Sequence, residues 1–123
     1  MNEIKASDIM LGNWFIGYDD KPFQWNLAHF GLLTIDGPTV DEIIKSPIHL
    51  TEEIVLKCGA RKVKHIDGYS FWTFSGSKIN KAHINICVNK TCYYGYSVAN
   101  CEYLHQLQNL FKILTGNDLN IQL

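Results

Sequence analysis

Cys101, His105 and Asn109 follow one another at four-residue intervals. On a helix, side chains four apart are neighbours. A thiol near a helix N-terminus ionises more easily, an imidazole one turn on could take its proton, and an amide could orient that imidazole. The residue types therefore suit thiol chemistry. The arrangement suits it less, because nucleophile, base and orienting group usually converge from separate segments, not along one helix face. The same line reads more simply as the polar flank of a helix, and no catalytic residue is assigned. Gln108 joins His105 and Asn109 on this polar helix face. Its side-chain amide, like that of Asn109, can satisfy a neighbouring strand or meet a partner.

A second group is His83, Cys87 and Cys92. Zinc requires nitrogen or sulfur ligands converging tetrahedrally at about 2.0–2.3 Å. A histidine four residues before C-x4-C is not a zinc spacing of that kind, and paired C-x2-C knuckles are missing. No metal and no cofactor are expected. Ser75-Gly76-Ser77-Lys78 has the letters of an S-x-x-K motif but lacks its companion motifs, and it is too short for a phosphate-binding loop. Asp19-Asp20 reads as a turn and Glu52-Glu53 as the acidic first turn of a helix.

The third group is a basic, aromatic stretch. From Lys57 to Lys90 there are seven basic residues and one acid, Asp67; the rest of the chain has four basic residues and eleven acids. The overall net charge of −1 hides this division. Tyr69, Phe71, Trp72 and Phe74 interleave with the lysines. Such a face could dock a partner of opposite charge, or hold a single nucleic-acid strand, with bases on the rings and phosphates on the ammonium groups. The candidate binding residues are Lys62, Lys64, Trp72, Lys81, His83 and Lys90. Against nucleic acid stand a sequence pI near 6.5 and the tendency of strand aromatics to fill a core.

These residues need elements to place them. Trp14 to Tyr18 and Phe23 to Leu27 suggest strand, turn, strand around Asp19-Asp20-Lys21-Pro22. Leu32 to Ile35 is a short apolar run stopped by Asp36-Gly37-Pro38. Thr39-Val40-Asp41-Glu42 has capping-box spacing, so a brief helix through Ile44 is expected. Thr51 caps a second helix that stops at Gly59. Strands follow over Lys62 to Ile66 and Tyr69 to Phe74. Ile79 to Val88 alternates most clearly: Ala82, Ile84, Ile86 and Val88 take one face, Lys81, His83, Asn85 and Cys87 the other. Cys92 to Val98 returns as a strand.

The end of the chain has Leu104, Leu107, Leu110, Phe111 and Leu114 on one helical stripe. Asn100 is the expected cap, Gly116 the expected stop, and Leu119 to Leu123 an expected last strand. The architecture implied is α+β: a mostly antiparallel, multi-strand sheet with a short inserted helix and a longer C-terminal helix packed on it. At 123 residues, 46% hydrophobic and 19% charged, one domain over 1–123 is the natural reading. A variant of it makes 1–46 a small barrel-like β portion.

Leu104-His105-Gln106-Leu107-Gln108-Asn109-Leu110-Phe111 with Leu114-Thr115-Gly116 and Leu119 resembles the ending of a family of small proteins without assigned activity. The family is common in gut Bacteroidetes and in their phages and mobile elements. Met10-Leu11-Gly12-Asn13-Trp14 and Pro47-Ile48-His49-Leu50-Thr51-Glu52-Glu53, with Leu56-Lys57-Cys58-Gly59, are similar to it too. The resemblance implies a bacterial or phage origin and a shared fold, and it implies no chemistry.

No apolar run approaches the roughly 18 residues of a membrane span. Met1 to Asp8 lacks a basic region ahead of an apolar stretch, so no secretory signal is expected. A cytoplasmic location and free thiols at Cys58, Cys87, Cys92 and Cys101 follow. The expected function is a non-enzymatic accessory protein that binds a macromolecule, foremost a protein. The alternatives are a single-stranded nucleic-acid binder and a protein that sequesters a small anion or nucleotide. No membrane partner is expected, and a homodimer through an edge strand is plausible.

Overall fold

The aromatic runs near the start form strands, but shorter ones than their composition suggests. In the computed structural model, β1 (Trp14–Ile16) pairs antiparallel with β2 (Pro22–Gln24) on one side and β3 (Ser46–Pro47) on the other. The structure describes residues 4–66, 69–73, 84–87, 91–94 and 97–123; over 62–66, 69–73, 84–87, 91–94, 97–100 and 114–115 it describes the backbone alone. The chain divides into two compact units, Met1–Ile48 and His49–Leu123.

In the first unit the β1–β2 turn closes through Gly17 and Lys21, with the Gly17 N–H donating to the Lys21 carbonyl at 2.9 Å. Asp20 takes a left-handed φ of 63° there, which a short polar side chain tolerates better than most. Phe15 from β1, Trp25, Ile9 and Ile44 form the buried centre, with Phe23, Phe30, Leu33, Val40 and Ile43 packed against it.

The expected strand Phe23 to Leu27 is corrected. It ends at Gln24, and α1 (Leu27–Leu32) begins instead. Asn26 is the reason: its side chain accepts the His29 N–H at 3.2 Å, and the His29 ring nitrogen Nδ1 accepts the Asn26 N–H at 3.0 Å. Two donors that a helix start would orphan are satisfied reciprocally. The capping spacing at Thr39 does give a helix, α2 (Val40–Ile43), with Glu42 accepting the Thr39 N–H.

In the second unit α3 (Glu52–Lys57) starts where Thr51 Oγ1 accepts the Ile54 N–H at 3.2 Å, and the chain leaves it through Gly59 at φ 89°. A five-stranded antiparallel sheet follows in simple chain order: β4 (Arg61–Ile66), β5 (Tyr69–Thr73), β6 (Ile84–Cys87), β7 (Thr91–Tyr94) and β8 (Ser97–Asn100). The single return strand expected over Cys92 to Val98 is in fact two, β7 and β8, paired with each other. Of the long strand expected over Ile79 to Val88, β6 is the part among the described residues.

The last helix, α4 (Leu104–Thr115), ends at Gly116, whose φ is 75°. It starts three residues later than Cys101, so Asn100 closes β8 and Tyr103 holds the cap position of the helix. Leu119 and Ile121 are buried and their neighbours exposed, as the alternation of the tail suggests. Residues 119–123 nevertheless form no strand. Both sheets are antiparallel; along the chain α1 and α2 fall between β2 and β3, α3 precedes the second sheet and α4 follows it, which makes the protein α+β. Among the described residues, no helix is long and apolar enough to cross a membrane.

Candidate functional site

The basic face is only partly within the described residues. Lys81, His83 and Lys90 lie outside them, as does the Ser75–Lys78 motif. For Lys62, Lys64 and Trp72 the strand register is defined: Lys62 is opposite Trp72, and Lys64 is opposite Phe71. Two steps along β4 thus match one step along β5, a β-bulge at Val63. A strict period of two would align Lys62 and Lys64 with alternate residues of β5; the bulge aligns them with consecutive ones. β4 is also an edge of its sheet. Lysines and a bulge on an edge strand discourage pairing with foreign strands. Lys57 lies 3.5 Å from Glu53, one turn away on α3.

The thiol line does not form. Cys101 precedes α4, and its segment is extended: Leu50 donates to the Glu102 carbonyl at 2.9 Å, and His49 and Tyr103 make an antiparallel bridge. Only His105 and Asn109 are on the helix. His105 is 3% exposed and Gln108 is 8% exposed, so the expected polar face is largely turned inward among Leu104, Leu107 and Phe111. Cys58 and Cys101 are buried, and neither is in a disulfide. Burial pushes the Cys58 thiol from 9.0 up to about 12, which keeps it protonated and unreactive at neutral pH. The register sets Cys92 opposite Ile86 and Cys87 opposite Phe71. Among the described residues, no group of three or more metal-ligating side chains is assembled.

Two features escaped sequence reasoning. One is a row of rings at the start of α4. His49, exposed, meets Tyr103 at 4.9 Å and 61° between ring planes, and Tyr103 stacks on buried His105 at 5.9 Å and 10°. Gln106 fixes the backbone there, its Oε1 accepting from the N–H groups of Glu102 at 2.9 Å and Tyr103 at 3.1 Å. His49 and Tyr103 are far apart in sequence, and nothing local signals their meeting.

The second feature is the outer side of α1. Phe30 and Leu33 pack inward, while Leu27 is 72% exposed, Leu32 49%, and Ile35, just beyond the helix, is fully exposed. From Pro22 to Ile35 no residue is charged. The signal was available in that uncharged run. Conversely, Trp14 and Trp25 are buried, so they belong to packing and not to a stacking surface. No family model, curated protein or solved structure matches the chain.

Proposed function

We propose that the protein is a non-enzymatic accessory factor that acts by binding another protein, in the setting of a bacterium or its phage. The observation that carries this reading is the uncharged, outward-facing apolar surface of α1. Leucines at that exposure are not supporting the core, and several exposed apolar side chains within one uncharged stretch are a feature of contact sites. The segregated basic residues Lys62, Lys64, Lys81 and Lys90, with Trp72 and His83, are a second contact region in this proposal. The buried thiols at Cys58 and Cys101 fit a role without thiol catalysis. In the fold that goes with this reading, the buried face of α4, with Leu104, Leu107 and Phe111, packs on the five-stranded sheet. The location is the cytoplasm.

A specific feature also favours a second reading, the single-stranded nucleic-acid binder. The register pairs position 62, a lysine, with position 72, a tryptophan, on the strand at the edge of the sheet, and such binders combine cationic and aromatic residues.

Affinity capture from lysate separates the two. Tagged wild type is compared with Leu27→Glu/Leu32→Glu and with Lys62→Glu/Lys64→Glu, each checked for folding by circular dichroism. The first reading expects a stoichiometric protein partner, lost with the leucine variant. Salt-dependent binding of a labelled oligonucleotide, lost with the lysine variant and without any protein partner, replaces it with the second. Neither result overturns both.

A further inference from the structure

We propose that residues 119–123 are a strand awaiting its neighbour, and that the neighbour is the same stretch of a second copy, paired antiparallel about Ile121. Leu119-Asn120-Ile121-Gln122-Leu123 has the period of a strand. Leu119 and Ile121 are buried, Asn120 and Gln122 exposed, and Leu123 half-buried. Yet the stretch belongs to neither sheet, and among the described residues no backbone hydrogen bond engages it. An alternating segment that leaves its backbone N–H and C=O groups open is a template for another strand.

The residues of the stretch select that other strand. Read from either end they run apolar, amide, apolar, amide, apolar. An antiparallel pair with its two-fold axis at Ile121 sets Leu119 opposite Leu123, Asn120 opposite Gln122 and Ile121 opposite its own copy. Opposite residues share a face of the pair. The apolar side chains of the two copies therefore fall on one face and the amides on the other. A carboxamide is donor and acceptor at once, so Asn120 and Gln122 complement each other. A register displaced by one residue sets amides against apolar side chains.

Charge points the same way. The five residues carry none, so self-pairing opposes no like charges, and they include no Pro or Gly to break a ladder. The edge strand β4 is the contrast, with Lys62, Lys64 and a bulge between them. The stretch is also placed before it pairs. Gly116 N–H donates to the Lys112 carbonyl at 2.8 Å, and Lys112 Nζ lies 3.2 Å from the Asp118 carboxylate, just ahead of Leu119. Order already present in the monomer lowers the entropic cost of association. Five residues from each copy make a small interface, so the dimer is a weak one that forms at high protein concentration. It depends on neither α1 nor the basic residues.

The test is sedimentation equilibrium of the full-length protein at low salt, from about 10 μM to 1 mM. The weight-average mass of wild type should rise from 14.1 kDa toward twice that value. Asn120→Lys/Gln122→Lys sets lysine against lysine twice across the axis and should weaken the dimer about tenfold. Asn120→Lys/Gln122→Glu sets lysine against glutamate in the same register and should retain it. Both positions are exposed, and circular dichroism checks the folding of each variant. In wild type, hydrogen-exchange protection of the amides in 119–123 should also rise with protein concentration while that of α4 stays constant. A wild type that remains monomeric throughout overturns the proposal. So does a Lys/Lys variant that dimerises like wild type, or a Lys/Glu variant as weak as Lys/Lys. Should the variants fail to fold, the concentration dependence of protection in wild type decides: a dimer that leaves 119–123 unprotected overturns it.

Discussion

The backbone N–H of Leu50 donates to the carbonyl of Glu102 at 2.9 Å, next to the His49–Tyr103 bridge. Residues 49–50, ahead of α3, and residues 102–103, ahead of α4, are therefore joined in space within the second unit. Met10 to Asn13 is likewise a piece of construction. Asn13 N–H donates to the Met10 carbonyl at 3.1 Å, and Gly12, with φ 86°, supplies the left-handed residue that the turn requires. The residues at these places hold the chain in shape.

Gln106 should be worth more than its polar, half-buried character suggests. Its Oε1 accepts two backbone N–H groups, from Glu102 and Tyr103, at the point where an extended chain turns into α4. Gln106→Ala leaves both donors without that acceptor and should cost about 1–2 kcal/mol, the usual range for a lost cap. Gln106→Glu preserves the acceptor next to the positive end of the helix and should cost far less. Urea titrations of the three proteins check this; equal midpoints for Ala and Glu would show that the cap contributes nothing.

Cys58 gives a pH prediction with a definite sign. Burial raises its thiol from 9.0 to about 12 in the folded protein. Below pH 9 both folded and unfolded chains hold the proton, and the full stability is present. Between pH 9 and about 12 the unfolded chain loses its proton first, so stability falls as pH rises, by at most about 1.4 kcal/mol per pH unit from this group. Lysines and tyrosines titrate over the same range, so the comparison is with Cys58→Ala. Its unfolding free energy should decline less steeply above pH 9. Parallel curves for the two proteins would contradict the assignment.

Asn13 is nearly fully buried, and its Oδ1 accepts the Met10 N–H at 2.8 Å. Asn13→Ala should destabilise the protein by about 1–3 kcal/mol, because the Met10 N–H then loses its partner inside the turn. Asn13→Asp retains an acceptor but buries a charge, and it should be destabilising at pH 7 and less so at pH 4, where the carboxyl is neutral. Thermal unfolding at the two pH values distinguishes loss of the bond from burial of the charge. An Ala variant as stable as wild type would mean that backbone bonds alone hold this loop.

Local signals were legible where a side chain satisfies its own backbone. Thr51, Thr39 with Glu42, Gly59 and Gly116 all mark helix ends in the sequence and do so in the structure. The α1 cap was not legible, because histidine replaces the familiar Glu or Gln and the residues after it are as apolar as a strand. Asn100 resembles a cap in the sequence, which extends the expected last helix back over Cys101, whereas α4 starts at Leu104. The pairing of residues 49–50 with 102–103 holds that segment extended, and such long-range pairing leaves no local trace. Of the candidate basic face, alternation suggested Lys62 and Lys64 as partners, and the bulge at Val63 changes their alignment. A single inserted residue of this kind depends on the neighbouring strand, which period counting does not see.

Two glycines close to each other in sequence should respond to alanine with opposite signs. A Cβ on Gly37 would lie 2.1 Å from the Leu32 carbonyl oxygen and 2.8 Å from Thr34 Oγ1. The first of these is backbone, held by the turn that carries the chain out of α1: Thr34 N–H donates to that same Leu32 oxygen at 2.9 Å, and Gly37 N–H donates to Thr34 at 3.1 Å. Relief requires the turn to open, so Gly37→Ala should cost about 1–3 kcal/mol or more. Gly31 is inside α1, exposed, and a Cβ there meets nothing within 4 Å. Gly31→Ala should gain about 0.5–1 kcal/mol from the reduced freedom of the unfolded chain and the better helix propensity. Gly31→Ala strengthens the helix and should also slow hydrogen exchange over residues 27–33. If Gly37→Ala is tolerated as well as Gly31→Ala, the exit turn is not as closely built as these distances require.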